Sequence, residues 1–205
     1  MQIIDNSRLY VQDDYVYKNF ILLSDDEKRM VLRWRNDPKI RIWMSNDNEI
    51  CYDDHCRFIE GLCGKDDKYY WLVIKNEVPI AVYDIVSVNY YEGSAVSGYY
   101  LAPQCMGTGE GFLFQYNYKK FFFDNLGFST MYGYILKGND RAYSMSVFFS
   151  EKPYGTFEED GRTYVKTIAS REGFDAIPED GLLSRFVKYA KANPIDWDEL
   201  IKRYK

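Results

Sequence analysis

Apolar and polar positions alternate in short runs along much of the chain, and each run ends at turn residues. Tyr15–Leu23, rich in aromatic, β-branched and aliphatic side chains, reads as a strand, with Leu9–Val11 pairing to it across Asp13-Asp14. Ser24-Asp25-Asp26-Glu27 is a capping box, a serine with a glutamate three residues later. It predicts a helix with Met30, Val31 and Trp34 on its apolar face, stopping at Asn36-Asp37-Pro38 because the residue before proline avoids the helical region. Ile40–Met44 fits neither period. Asp53 or Asp54 caps a second helix whose core face is Phe58, Ile59 and Leu62. Tyr69–Ile74 and Ile80–Val88 read as a hairpin turning at Lys75-Asn76-Glu77, and Ala95–Leu101 as a third strand. A helix from Gly109 to Asp124 ends at Asn125-Leu126-Gly127, Thr130–Leu136 is a strand, and Gly138-Asn139 opens a helix over Asp140–Ser150. Thr156–Glu159 and Thr163–Ile168 flank Asp160-Gly161, a hairpin signal.

The order β-α-α-β-β-β-α-β-α-β-β predicts an α/β (α+β) fold, a mixed central sheet flanked by helices. The tail carries Leu182, Leu183, Phe186, Val187 and Ala190 on one helical stripe, and Asp196–Tyr204 reads as a last short helix. No repeat or low-complexity linker interrupts the pattern. The expectation is one domain over residues 1–175, with a helical extension over 176–205 packed on it.

Composition narrows the function. The 205 residues suffice for one well-cored domain. Aromatics reach 18%, with 20 Tyr and 13 Phe, enough to fill a core or to build a flat wall for a sugar or nucleobase. A net charge of −5 argues against a general nucleic-acid or anionic-membrane binder, yet permits a local basic patch. Cys51, Cys56, Cys63 and Cys105 contain no C-x-x-C pair and His55 is the single histidine, so no metal site is expected. Cys56 and Cys63 read as small apolar residues on one helix face. Neither a signal-peptide pattern nor an apolar run of ~20 residues is present, which predicts a cytoplasmic protein with reduced thiols.

The chemistry concentrates in Leu101-Ala102-Pro103-Gln104-Cys105-Met106-Gly107-Thr108-Gly109-Glu110-Gly111, between a predicted strand and a predicted helix. Glycines there permit a tight turn and leave bare N–H groups facing a ligand, and the helix N-terminus adds roughly half a positive charge. Such a site suits a diphosphate. The spacing Gln-x-x-Gly-x-Gly resembles the acyl-CoA pyrophosphate signature of the GCN5-related N-acetyltransferases (GNATs), and the element order is similar to their fold from about Tyr17 to Thr167. Within that superfamily the sequence resembles the nucleotide-sugar N-acetyltransferases of pseudaminic acid synthesis, which act on the 4-amine of UDP-4-amino-4,6-dideoxy-N-acetyl-β-L-altrosamine. Trp34-Arg35-Asn36, Ile40-Arg41-x-Trp43-Met44, His55 before Phe58-Ile59-Glu60, Pro79–Asp84, Gly98–Pro103 and Asn139-Asp140-Arg141-Ala142 carry the likeness.

The resemblance implies acetyl-CoA as co-substrate, no metal, and direct attack by a neutral amine on the thioester. It implies a backbone N–H near Leu101 for the carbonyl oxygen. Cofactor contacts are implied at Ala102 and Gln104, at Cys105, Met106, Gly107, Thr108, Gly109 and Glu110 of the loop, and at Asn139, which also suits a helix N-cap. Trp34, Arg35, Arg41, Met44, His55 and Tyr100 are the implied acceptor side; salt bridges for the arginines and core packing for Trp34 and Met44 are the plainer alternatives. The family's thiolate-protonating tyrosine falls at Ser146, leaving Ser146 or Tyr143 as the acid. Its glutamate falls at Tyr134, leaving Asp84 and His55 as candidate bases. The expected function is acetylation of an amino sugar or nucleotide-linked amino sugar, with a small-molecule amine as partner, no nucleic acid, no membrane, and room for a homodimer. A protein or peptide Nα-acetyltransferase of the ribosomal-protein type and a non-catalytic CoA-binding module stay open as alternatives.

Overall fold

The computed structural model describes residues 3–205. Among them eight strands form: β1 (Tyr10–Gln12), β2 (Tyr15–Asn19), β3 (Lys68–Lys75), β4 (Val78–Asn89), β5 (Ser94–Leu101), β6 (Thr130–Leu136), β7 (Lys152–Glu159) and β8 (Arg162–Ser170). The helices are α1 (Asp25–Asn36), α2 (Pro38–Arg41), α3 (Tyr52–Glu60), α4 (Glu110–Lys120), α5 (Asp140–Phe148), α6 (Arg171–Asp175), α7 (Leu182–Ala192) and α8 (Trp197–Tyr204). The strands make one sheet in the order β1-β2-β3-β4-β5-β6-β8-β7. Every pairing is antiparallel except β5 with β6. No described helix is long and apolar enough to cross a membrane.

Local chemistry sets the element ends. Ser24 and Glu27 make the reciprocal capping box at the start of α1. The predicted strand Tyr15–Leu23 stops at Asn19, whose side chain accepts from the Ile21 amide and turns the chain into a 3₁₀ turn over Phe20–Leu22. Cys51, rather than Asp53 or Asp54, caps α3, its Sγ accepting from the Asp54 amide at 3.4 Å. The predicted helix Gly109–Asp124 ends its α-helical part at Lys120 and continues as a π turn over Phe121–Asn125. Strand β7 begins at Lys152 and runs through Pro153, which an edge strand tolerates because that position needs no second ladder partner. The β3–β4 and β7–β8 turns each place two successive residues at positive φ, Asn76-Glu77 and Asp160-Gly161, as the right-handed strand twist favours.

The two sheet faces hold separate cores. On one, α4 and the π turn press Phe114, Tyr118 and Phe121 against Tyr17, Trp71 and Tyr83, with Tyr17 stacked on Phe121 at 3.8 Å. On the other, α1 and α3 bring Val31, Trp34 and Ile59 onto Leu72 and Val82. Most of the abundant rings therefore serve packing. Helix α7 seats Phe186 on Phe112 and Phe148 (5.0 and 5.4 Å), and Trp197 of α8 donates to Asp140 at 2.6 Å, so the tail lies against the start of α4 and α5.

Strands β5 and β6 pair only at Ser94–Thr130, Ala95–Met131 and Val96–Tyr132. Beyond Val96 they diverge, and β6 keeps its full pairing with β8 on the other side. The sheet is thereby split at its centre.

Candidate active site

A cavity of about 670 Å³ occupies this split. It is lined by consecutive residues of both strands, Val96 to Tyr100 and Met131 to Leu136, whose side chains alternate between the two sheet faces. The cavity therefore passes through the sheet. The Ala102 amide donates to Ile80 O at 2.8 Å, on the β4 side. By alternation the Leu101 amide points the other way, into the opening, where no strand pairs with it.

The glycine loop follows β5 directly. Pro103–Cys105 forms a 3₁₀ turn, and Gly107 and Gly109 sit at φ +82° and +92°, with Gly109 preceding α4. A Cβ on either would meet nothing within 4 Å, so both face open space. Gly111 is needed for contact: a Cβ there would lie 2.8 Å from Leu101 Cδ1, so its absence lets α4 start against the end of β5. The amides of Cys105 and Met106 donate to Ala102 O and Pro103 O, and that of Glu110 donates to Thr108 Oγ1. The expected six-amide cradle is thus reduced. Gly107, Thr108, Gly109 and Gly111 keep amides without a partner among the described residues. Gln104 and Met106 are exposed and Ala102 is buried. The Glu110 carboxylate turns away to Lys75 (2.9 Å) and Tyr15 (2.9 Å). Four free N–H groups at a helix N-terminus fit a diphosphate.

Asp84 of β4 lines the cavity opposite Gly98, where a Cβ would lie 3.1 Å from each carboxylate oxygen. Glycine there leaves the carboxylate room over β5. It makes no hydrogen bond or ion pair with the described residues, and burial pushes its pKa up to about 7. His55 is buried, lines the same cavity and leaves Nε2 unpartnered; burial holds its pKa below the usual value, so the ring is neutral at pH 7. Arg35 donates through Nη2 to Asn46 O, while its Nη1 is buried and unpartnered. Met44, Tyr100, Asn139 and Ser146 also line the cavity. Asn139 caps α5 as well, accepting from the Ala142 amide at 3.2 Å.

Three candidates lie elsewhere. Trp34 is a core residue against the α1–α3 face, and Arg41 faces Glu49 at 3.8 Å off the cavity wall. Tyr143 packs on Trp197 (5.4 Å) and lines a separate cavity of about 320 Å³ between α5, α7 and α8. Of the two candidate acids, Ser146 is the hydroxyl on the central cavity; its Oγ accepts from Gln115 at 3.1 Å.

Sequence reading missed Trp43, Phe157 and Glu159 on the cavity wall, and the group behind Ser146. Lys119 is fully buried and holds Glu151 at 2.6 Å, while Thr167 also donates to Glu151. Burial alone would raise the Glu151 pKa; Lys119 outweighs it and keeps the carboxyl below its usual value. A signal was available: Gln115 and Lys119 fall on the same helical stripe as Phe112, where an apolar residue is expected. Among the described residues no three His, Cys, Asp or Glu side chains converge as metal ligands.

No family model matches the chain. Acetyltransferase PseH from Campylobacter jejuni is 30% identical over 147 residues, which cover 72% of this chain and 88% of that protein. The solved structure of C. jejuni PseH with acetyl coenzyme A superposes with a TM-score of 0.59 at 24% identity, covering 77% of this chain and 99% of that one. A spermidine N-acetyltransferase from Vibrio cholerae in complex with CoA and spermine gives 0.70 at 14% identity, over 78% and 98%. With the split sheet and the glycine loop at its end, this relationship means that the chain belongs to the GNAT family of acetyl-CoA-dependent N-acetyltransferases.

Proposed function

We propose that the protein acetylates the amine of a nucleotide-linked amino sugar in the cavity between β5 and β6. The observation that carries this reading is a carboxyl group without a partner, Asp84, its pKa raised to about 7, in a ring-lined cavity that also holds a free guanidinium nitrogen. Bound acetyl-CoA supplies an activated acyl group. The amides of Gly107, Thr108, Gly109 and Gly111 hold its diphosphate, and the Leu101 N–H takes the thioester oxygen, a donor of a kind worth about 3 kcal/mol as charge develops. Asp84 accepts the proton of the attacking amine, its pKa being matched to neutral pH. Ser146 lies on the cavity as the hydroxyl for the departing sulfur; a thiolate with solution pKa near ~8.5 needs modest help.

On the acceptor side, Arg35 Nη1 suits a phosphate or sugar oxygen. Trp43, Met44 and Tyr100 offer apolar faces to a base or sugar ring. A polyamine would put positive charge beside Arg35, and a peptide needs an open groove, so both fit less well. The resemblance of the sequence to nucleotide-sugar N-acetyltransferases favours a sugar acceptor. A thiol-release assay with acetyl-CoA against UDP- and dTDP-amino sugars, N-terminal peptides and polyamines tests this. Turnover on peptides or polyamines without turnover on any sugar overturns the reading, and CoA binding without turnover on any acceptor points to a non-catalytic module.

A further inference from the structure

The chain between α2 and Ile50 has no regular structure, yet Trp43, Met44 and Asn46 form one wall of the cavity. Its far end is fixed by Asn36, which donates to Ile50 O at 2.8 Å and accepts from the Ile50 amide at 3.0 Å. The arch between is held by two guanidinium groups on its carbonyls. Arg35 of α1 takes Asn46 O. Arg162, the first residue of β8, takes Met44 O through Nη1 at 2.6 Å and Ile42 O through Nη2. Arg162 has no carboxylate partner among the described residues. Its rigid fork spans two carbonyls on the same side of the chain, a geometry lysine cannot reproduce.

The hairpin that carries Arg162 also supplies part of the cavity wall, through Phe157, Glu159 and Tyr164. One side chain therefore ties the two together across more than a hundred residues of sequence. We infer that Arg162 is a positioning residue that latches residues 42–46 against the β7–β8 hairpin and so shapes the acceptor end of the cavity. The inference rests on the acceptor occupying this cavity as proposed above.

The test uses the full chain. Hydrogen exchange of residues 42–50 is followed in wild type, Arg162→Ala and Arg162→Lys without acceptor. Charge-assisted bonds to two carbonyls predict at least a tenfold faster exchange at residues 43–46 in Arg162→Ala, an intermediate value in Arg162→Lys, and unchanged exchange in β6. CoA affinity stays within twofold, while the KM for the acceptor rises about tenfold and kcat changes less than threefold. Unchanged exchange at 43–46 overturns the latch. So does exchange that rises equally through β6 and β8, which would assign Arg162 to hairpin stability. Exchange is read without acceptor, so a wrong acceptor class leaves it standing, and the acceptor panel alone decides that class.

Discussion

Replacing Asp84 by asparagine should make the protein more stable and less active, and the stability gain should depend on pH. The carboxyl titrates ordinarily at 3.8 and is held at about 7 in the fold by burial. At 1.36 kcal/mol per pKa unit, ionising it in the folded state costs up to about 4 kcal/mol more than in the unfolded chain. The sign follows from linkage. A raised pKa contributes relative stability that is complete below 3.8, falls as pH rises, and is gone above about 7. Asparagine carries no such penalty. Urea unfolding should therefore show Asp84→Asn gaining roughly 1–2 kcal/mol at pH 5 and as much as ~4 kcal/mol at pH 8, the upper figure being reduced by solvent reaching the half-buried carboxylate. Over the same range turnover should fall by ~10²-fold or more, the loss expected of a missing general base. The wild-type kcat/KM should rise through a midpoint near pH 7. A stability difference that is the same at pH 5 and pH 8, or an Asp84→Asn enzyme with full turnover, would refute the role.

Three further outcomes follow from the same geometry. Gly107→Glu places bulk and negative charge in the amide cradle at a backbone φ of +82°, and calorimetry should show CoA affinity falling by more than tenfold in a folded protein. Gly98→Ala puts a methyl 3.1 Å from both oxygens of Asp84; turnover should drop about tenfold, with CoA affinity held within twofold. Glu151→Gln strands the buried Lys119 ammonium and should cost about 3–5 kcal/mol in urea unfolding, whereas Lys119→Met combined with Glu151→Leu should recover most of it; equal destabilisation by the two would show that the pair is not what holds this region.

Much of the fold was legible because its signals are local. The Ser24–Glu27 box, the positive-φ turns at Asn76-Glu77 and Asp160-Gly161, and the glycine loop are each read from a few adjacent residues. The site was less legible because its partners are distant. Tyr143 and Ser146 lie one helical turn apart, and sequence could not choose between them; Trp197, more than fifty residues on, covers Tyr143 and leaves Ser146 on the cavity. Trp34 was the ring expected beside the acceptor, but α1 turns it into the core, and Trp43, nine residues on, lines the cavity instead. The loop was expected to offer six amides, but Pro103 starts a 3₁₀ turn that engages two of them internally.

Two glycines on either side of the split make room for its two carboxyl groups. Gly98 of β5 clears space for Asp84, and Gly133 of β6 clears space for Glu151, where a Cβ would sit 3.0 Å from the carboxylate and 2.7 Å from Thr167 Oγ1. The two carboxyl groups lie toward opposite sheet faces and their surroundings push them in opposite directions. Asp84 has no partner and rises to about 7; Glu151 has Lys119 and Thr167 and stays below its usual value. Surroundings of this kind set two carboxyl groups apart, leaving one able to exchange a proton near neutral pH and holding the other charged. Asp84 can gain and lose a proton near neutral pH on the side where Arg35 and His55 line the cavity. Glu151 keeps a fixed charge beside Ser146. The glycines thus admit the two carboxyl groups to the split, and burial on one side and Lys119 on the other set their opposite protonation.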